Sequence, residues 1–313
     1  MKILFMGTPD FAVFSLDALC RTGENVIGVI TQPDKPKGRG YTLTPPPVKV
    51  YAEEHGIPVW QPATLRGEEF ASFLAELAPE LIIVVAYGKI LPENVLKFPK
   101  HGCVNVHGSL LPEYRGAAPM QRAIIDGKKI TGITTMYMDV GLDTGNMILK
   151  EEVEIGENDN FEDIHDRLGV CGADVLMKTL TLIKEGTAPS IPQDNSLSTY
   201  AAKIEKSDCL ISFDRDAKTL HDLIRGLSPI PLAFTHTPDG KLLKVLESRV
   251  AQSDKTHADE DIGKVILLDG DAITVACRHG AIKILRVLPE GKGRMSAADF
   301  IRGRKIALGD ILK

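Results

Sequence analysis

Six short runs rich in Val, Ile and aromatic residues punctuate the first half of the chain, at 2–7, 25–31, 57–60, 80–86, 103–107 and 131–138. Amphipathic helical patterns stand between several of them, at 9–21, 48–54, 68–77 and 118–126, and a longer one runs from 161 to 184. This alternation is the strongest constraint on the fold. A helix crossing between two strands returns the chain in the same direction, so the pattern predicts βαβ units. It makes the first half α/β: a Rossmann-like, mostly parallel sheet with helices on both faces. The texture then changes. A stretch of turn formers from Gly186 through Pro189, Ser190 and Pro192 ends the alternation, and a helical pattern at 217–225 follows. Strand-like runs come next at 232–237, 242–251, 263–268, 272–277 and 282–287, with hairpin-turn chemistry at Asp269-Gly270 and His279-Gly280. Five such strands predict a small β-barrel of OB-like form. The expected division is a domain over 1–186, a linker over 187–203 and a β-barrel domain over 204–313.

Composition supports this and removes several alternatives. A chain of 313 residues suits two domains, and 43% hydrophobic with 25% charged residues is the balance of a globular protein. The apolar run 81–86 is far shorter than the roughly 20 residues a membrane helix needs. The first residues pass directly into a strand-like run with no signal-peptide pattern, so the expectation is a cytoplasmic protein with no membrane partner. The cysteines at 20, 103, 171, 209 and 277 show no C-x-x-C spacing and read as reduced core thiols, not metal ligands. The net charge of −5 argues against a simple nucleic-acid coat, but the average hides an asymmetry. Residues 1–194 carry 18 Lys/Arg and 26 Asp/Glu (−8), whereas 195–313 carry 19 and 16 (+3). A basic second half behind an acidic first one points to a polyanionic partner or to a solvated face.

The first strand ends in Gly7-Thr8-Pro9-Asp10-Phe11, where a dinucleotide fingerprint would need glycines at positions 9 and 12; these are Pro9 and Ala12. Without that fingerprint or a Walker A sequence, NAD and ATP are not expected. The informative stretch is Asn105-Val106-His107-Gly108-Ser109-Leu110-Leu111-Pro112. Strand alternation puts Asn105 and His107 on one face at the C-terminal end of a strand, where open α/β sheets bind ligands. A carboxamide and an imidazole side by side can address one carbonyl oxygen. The plainer alternative is a histidine that satisfies a backbone carbonyl. Farther on, Asp139 and Asp143 lie in a loop with Gly141 and Gly145. That loop fits a loose Ca²⁺ site, a turn with a local Asp cap, or a carboxylate that orients the histidine.

These segments resemble a known family. Asn105 to Pro112, Arg115-Gly116-Ala117-Ala118-Pro119 and Asp139-Val140-Gly141-Leu142-Asp143-Thr144-Gly145 are similar to motifs of the 10-formyltetrahydrofolate-dependent formyltransferases, and the likeness extends along essentially the whole chain. The resemblance implies a catalytic trio of Asn105, His107 and Asp143. It implies a formylfolate site lined by Ser109, Leu110, Leu111 and Pro112, with Tyr87, Gly88, Ile90, Leu91 and Asp139 holding the pterin largely through backbone groups. It also implies 10-formyltetrahydrofolate as formyl donor, no metal, and formylation of the amino group of methionyl-initiator tRNA for translation initiation by a monomer. The acceptor has its own candidates. The insertion from Gln32 to Pro47 holds Lys35, Lys37 and Arg39 among five prolines and two glycines, and a basic loop of that kind can clamp a nucleic-acid end. Lys203 and Lys206, with Arg278, Lys283, Arg286, Lys292 and Arg294, are placed to follow tRNA phosphates.

Overall fold

The structure, a computed structural model, describes residues 1–37 and 42–313, and at Lys37 the backbone alone. Its contacts sort into two compact units: 1–116, 130–154 and 165–201 form the first, and 117–129, 155–164 and 202–313 the second. Two segments of the first half therefore group with the later unit.

The first unit is built on a seven-stranded sheet. Its strands are β1 (Ile3–Gly7), β2 (Val26–Ile30), β3 (Val59–Trp60), β4 (Leu81–Val85), β5 (Cys103–His107), β6 (Ile130–Tyr137) and β7 (Met147–Glu154), in the spatial order β7-β6-β5-β4-β1-β2-β3. The five strands from β3 to β5 run parallel; β6 and β7 add antiparallel. Every residue of β1, β4 and β5 is buried, as a sheet covered on both faces requires. The helices that cover it include α1 (Asp10–Arg21), α2 (Pro47–Glu54) and α3 (Glu68–Leu77). On one face Phe70 and Leu74 of α3 share a core with Leu4, Met6, Ile82, Val84 and Cys103, all at alternate strand positions. A long helix begins at Phe161, and from His165 it belongs to this unit. A Cβ at its Gly172 would meet Val106 and Ile133, so this helix covers the opposite face. Trp60 is a packing residue: its ring meets Phe73 edge-on at 5.0 Å and fills the space over Gly28.

β7 was not expected. Its Lys150-Glu151-Glu152 run lacks alternation because the strand lies at the sheet edge, where exposed charges discourage further pairing. The Pro- and Ser-rich stretch is ordered against the first unit up to Ala201. Ile191 exchanges backbone hydrogen bonds with Met147, and Tyr200–Ala201 pairs in parallel with Arg115–Gly116.

The second unit carries the antiparallel strands β8 (Ala233–His236), β9 (Leu242–Val250), β10 (Val265–Leu268), β11 (Ile273–Ala276) and β12 (Ala281–Pro289), in the order β8-β9-β12-β11-β10. Gly270 and Gly280 adopt the left-handed conformation at the two hairpin turns, as their dipeptides predicted. The last residues of the chain bond both sheet edges. Val265 donates to Asp310 and Leu312 to Gly263 on the β10 side, while His236 and Lys313 exchange hydrogen bonds on the β8 side. This tail closes the sheet into a barrel. Its interior holds Leu243, Val245, Ile273, Val275, Ile282, Ile284 and Val287, with Leu220 and Ile224 of the helix Ala217–Gly226 packed on it. From that helix Arg225 pairs with Asp222 at 2.7 Å and donates to the carbonyls of Gly156 and Asp159, which is why segment 155–164 joins this unit.

Candidate active site

The strand order about β1 reverses between β1 and β4, and the site lies beyond the C-terminal ends of the strands on that side. β5 presents Asn105 and His107 one pleat apart, and both side chains are nearly buried. The ring of His107 is held from one side: Nε2 lies 3.0 Å from the carbonyl oxygen of Tyr114. A carbonyl only accepts, so Nε2 carries the hydrogen and Nδ1 of the neutral ring keeps its lone pair. The backbone carbonyl is thus satisfied by one ring nitrogen, which leaves the other without a hydrogen-bond partner among the described residues. Nδ1 faces Asp143 Oδ2 at 3.8 Å, too long for a hydrogen bond and close enough for an ion pair once the ring takes a proton. Oδ2 of Asp143 also accepts from the backbone N–H of Gly116 at 2.9 Å. The Asn105 carboxamide makes no side-chain hydrogen bond among the described residues, so its two N–H donors remain free.

The loop after β5 is fixed from below. Thr134 of β6 donates to the Ser109 carbonyl at 2.7 Å and accepts from Leu111 N–H at 3.0 Å, and Lys150 donates to the Leu111 carbonyl at 3.0 Å. Ser109 and Leu111 are fully buried, and the Ser109 hydroxyl donates to the carbonyl of Glu113, so both shape the loop while Leu110 and Pro112 are half-buried. At the end of β4, Ala86 adopts a left-handed backbone and Gly88 follows with φ +84°. Thr8 and Gln32 donate to the Tyr87 carbonyl. The Tyr87 side chain is buried with its hydroxyl unpartnered among the described residues, and burial pushes that hydroxyl up to about 12. Leu91 is buried, whereas Ile90 is 80% exposed. Asp139 binds its own loop, accepting from Gly141 N–H and the Thr144 hydroxyl, and leaves Val140 and Leu142 exposed. An open groove of about 970 Å³, lined by Phe14, Val50 and Met177 among others, contains none of these residues.

The basic candidates divide. Arg39 lies outside the described residues. Lys35 belongs to a short strand, Lys35–Lys37, paired with Thr42–Thr44. Lys203 pairs with Glu205 at 3.4 Å, and Lys206 opens a 3-10 turn. Arg278 is already engaged: it bridges Asp214 and Asp259 at 2.7 Å each, which raises its pKa further, and Lys283 lies 3.8 Å from Asp269. Arg286, Lys292 and Arg294 are exposed. Sequence reasoning missed Tyr114, seven residues from His107, Thr134, which fixes the Ser109–Leu111 loop, and Gly116 and Gln193, which reach Asp143 across 27 and 50 residues. Among the described residues no group of three His, Cys, Asp or Glu is placed to hold a metal ion, and no helix is long and apolar enough to cross a membrane.

The chain matches the family model for formyl transferase over residues 1–180 and that for the formyl transferase C-terminal domain over 203–305. Fold and matched regions together define a formyltransferase. A methionyl-tRNA formyltransferase from Geotalea daltonii is 48% identical over 309 residues, covering 99% of this chain and 97% of the relative. One from Desulforamulus reducens is 47% identical over 312 residues, covering 100% and 98%. The chain belongs to the methionyl-tRNA formyltransferase family. Its fold is also that of an N-formyltransferase from Helicobacter canadensis, solved with folinic acid and dTDP-3-aminofucose, at a TM-score of 0.64 and 20% identity over 91% of this chain and 98% of that one.

Proposed function

We propose that this chain transfers the formyl group of 10-formyltetrahydrofolate to the free amino group of methionyl-initiator tRNA, giving the formylated tRNA that starts translation. The observation that supports this reading is His107 at the end of β5 with its Nδ1 3.8 Å from the Asp143 carboxylate, and Asn105 one pleat earlier on the same strand, at the switch side of the sheet. The residues suit the donor: exposed Ile90, Val140 and Leu142 offer apolar cover for a flat ring, and the Asn105 donors await an acceptor. The amine nitrogen attacks the formyl carbon, and the carbonyl electrons move to oxygen. Asn105 donates to that oxyanion, a charge absent from the ground state. His107 Nδ1 takes the proton lost by the amine. The ring then lies between the Asp143 carboxylate at 3.8 Å and the Tyr114 carbonyl at 3.0 Å. The carbon–N10 bond then breaks and the proton passes to N10, so no charge is left behind.

Residues 1–186 are the catalytic domain in this reading and 204–313 the tRNA-binding domain, with Lys35, Lys37, Arg39, Lys203, Lys206, Lys283, Arg286, Lys292 and Arg294 facing the acceptor. The protein works as a monomer in the cytoplasm. The test is incubation with formyl-labelled 10-formyltetrahydrofolate and, in parallel, methionyl-tRNA, free methionine and an amino-sugar nucleotide. Label in the tRNA fraction alone is the expected result; label in the sugar alone overturns the acceptor assignment.

A further inference from the structure

The hydrogen bonds around Asp143 form a closed ring whose far side is made by two residues with no assigned role. The Gln193 Nε2 amide donates to the carbonyls of Asp143 and Gly145, both at 2.8 Å. Its Oε1 accepts from Arg115 Nε at 3.0 Å and Nη2 at 2.7 Å. Both amide protons and both lone pairs are thus used. The orientation is also forced, because a guanidinium only donates and carbonyls only accept. Arg115 is held in turn by Asn195 Oδ1 at 2.8 Å and through its backbone N–H by the Thr199 carbonyl.

The next residue, Gly116, donates to the Asp143 carboxylate, and the preceding one, Tyr114, accepts from His107. Both members of the proposed acid–base pair are therefore referenced to one tripeptide, Tyr114-Arg115-Gly116. Asp143 is held twice by it, through its carboxylate directly and through its backbone by way of Gln193. Gly116 admits no larger residue: a Cβ there would lie 2.8 Å from the Ala201 carbonyl and 2.8 Å from the Tyr200 ring.

We propose that Arg115 and Gln193 are positioning residues that set the separation of His107 and Asp143. The claim rests on the trio proposed above. Gln193→Glu keeps the shape and replaces two donors with a carboxylate facing two carbonyls; a protonated glutamate recovers one donor. Gln193→Ala and Arg115→Ala break the ring at different points, and Arg115→Lys keeps charge but loses the fork.

The experiment measures kcat, KM for methionyl-tRNA, folinic acid affinity and the pH–rate profile for these variants, with thermal unfolding to confirm folding. Expected are falls in kcat of about 10- to 100-fold, of the size seen when an outer hydrogen-bond partner is lost. KM and folinic acid affinity should change less than about threefold, and the pH–rate profile should move. Gln193→Glu should regain activity as pH falls, and the double alanine variant should be no slower than the worse single one. A folded Gln193→Ala enzyme with normal kcat and an unmoved pH profile overturns the proposal, as does full additivity in the double variant. Should Arg115→Ala fail to fold, the near-isosteric Gln193→Glu decides alone. His107→Ala run alongside separates the two levels: if it keeps normal turnover the trio itself is wrong, whereas its loss with a normal Gln193→Ala removes the positioning claim only.

Discussion

Asn105→Ala tests the chemical reading most directly, because the structure isolates what the side chain does. The carboxamide sits midway along β5, 8% exposed, and bonds no described protein group. Its removal orphans no partner, and the stability cost is confined to lost packing, about 1 kcal/mol or less. That corresponds to a fall in melting temperature of about 2–4 °C. The effect on rate should be much larger. Loss of one donor to a tetrahedral oxyanion costs about 100- to 1000-fold in kcat, roughly 2.7–4 kcal/mol. The oxyanion exists only after attack, so ground-state folate affinity should stay within about threefold. Asn105→Asp sharpens the comparison: it preserves the shape, puts an acceptor where a donor stood and adds a carboxylate one pleat from His107. It should be slower than the alanine variant. The assay is formyl transfer to methionyl-tRNA at saturating donor, with folinic acid binding by calorimetry. A kcat within twofold of the parent would refute the reasoning. So would a fall in kcat matched by an equal loss of folate affinity, which would make Asn105 a binding group.

Asp222→Ala should destabilise the second unit by about 3–5 kcal/mol in urea unfolding, because it leaves Arg225 buried without its carboxylate at 2.7 Å. Two histidines give pH dependences of opposite sign. His165 is raised above its usual value, first by its hydrogen bond to Asp10, so its stabilisation is complete below about pH 6.5 and is lost as pH climbs through the raised folded value. His221 is lowered by burial, so its neutral form is the stable one and stability falls as pH drops below about 6.5 toward the lowered folded value. Melting curves from pH 5 to 9 should lose the alkaline slope in His165→Ala and the acid slope in His221→Gln. Arg286→Ala, Lys292→Ala and Arg294→Ala should each weaken tRNA binding and reduce its salt slope by about one, whereas Arg278→Ala should chiefly cost stability, since that guanidinium already bridges Asp214 and Asp259.

What the sequence revealed follows from how local each signal is. Strands β1 and β4 are apolar runs because both faces are buried, β5 departs from this only at Asn105 and His107, and the helices between them repeat with a clear period, so both were legible. β7 hid because its edge position replaced apolar residues with Lys150, Glu151 and Glu152. The proposed trio was legible only in part: Asn105 and His107 stood out through N-x-H, and Asp143 joined them through the family resemblance. The side chains that hold it were not: Arg115 meets Gln193 across 78 residues, and Gly116 meets Asp143 across 27. The ion pairs of Arg278 were hidden for the same reason, since its two aspartates come from 64 and 19 residues away. Composition marked 187–203 as connection and gave no sign of the hydrogen bonds that residues 187–201 make with the first unit, because prolines and serines mark turns whether or not those turns carry hydrogen bonds.

The backbone around the proposed site explains why that stretch is held so closely. Among the described residues, Ala86, Tyr114 and Asp143 are three of the six non-glycine positions with left-handed φ, at 46°, 59° and 52°. Each such residue costs about 1–3 kcal/mol and persists only where the surroundings over-determine it. Tyr114 is over-determined by its N–H bond to the Thr199 hydroxyl, and Asp143 by Gln193 and Gly116. Two of the three strained positions thus take their support from residues 193–199. Glycine would relieve the strain at 143, but it would remove the carboxylate that faces His107. The left-handed turn is what lets a side chain at this position reach the ring while its carbonyl points back to Gln193. Strain at Tyr114 works the same way, turning its carbonyl onto Nε2 and leaving Nδ1 to face Asp143. The hydrogen bonds from the proline- and serine-rich segment oppose the relaxation that would otherwise separate the proposed pair, so a stretch with the composition of a linker holds the backbone on which His107 and Asp143 meet.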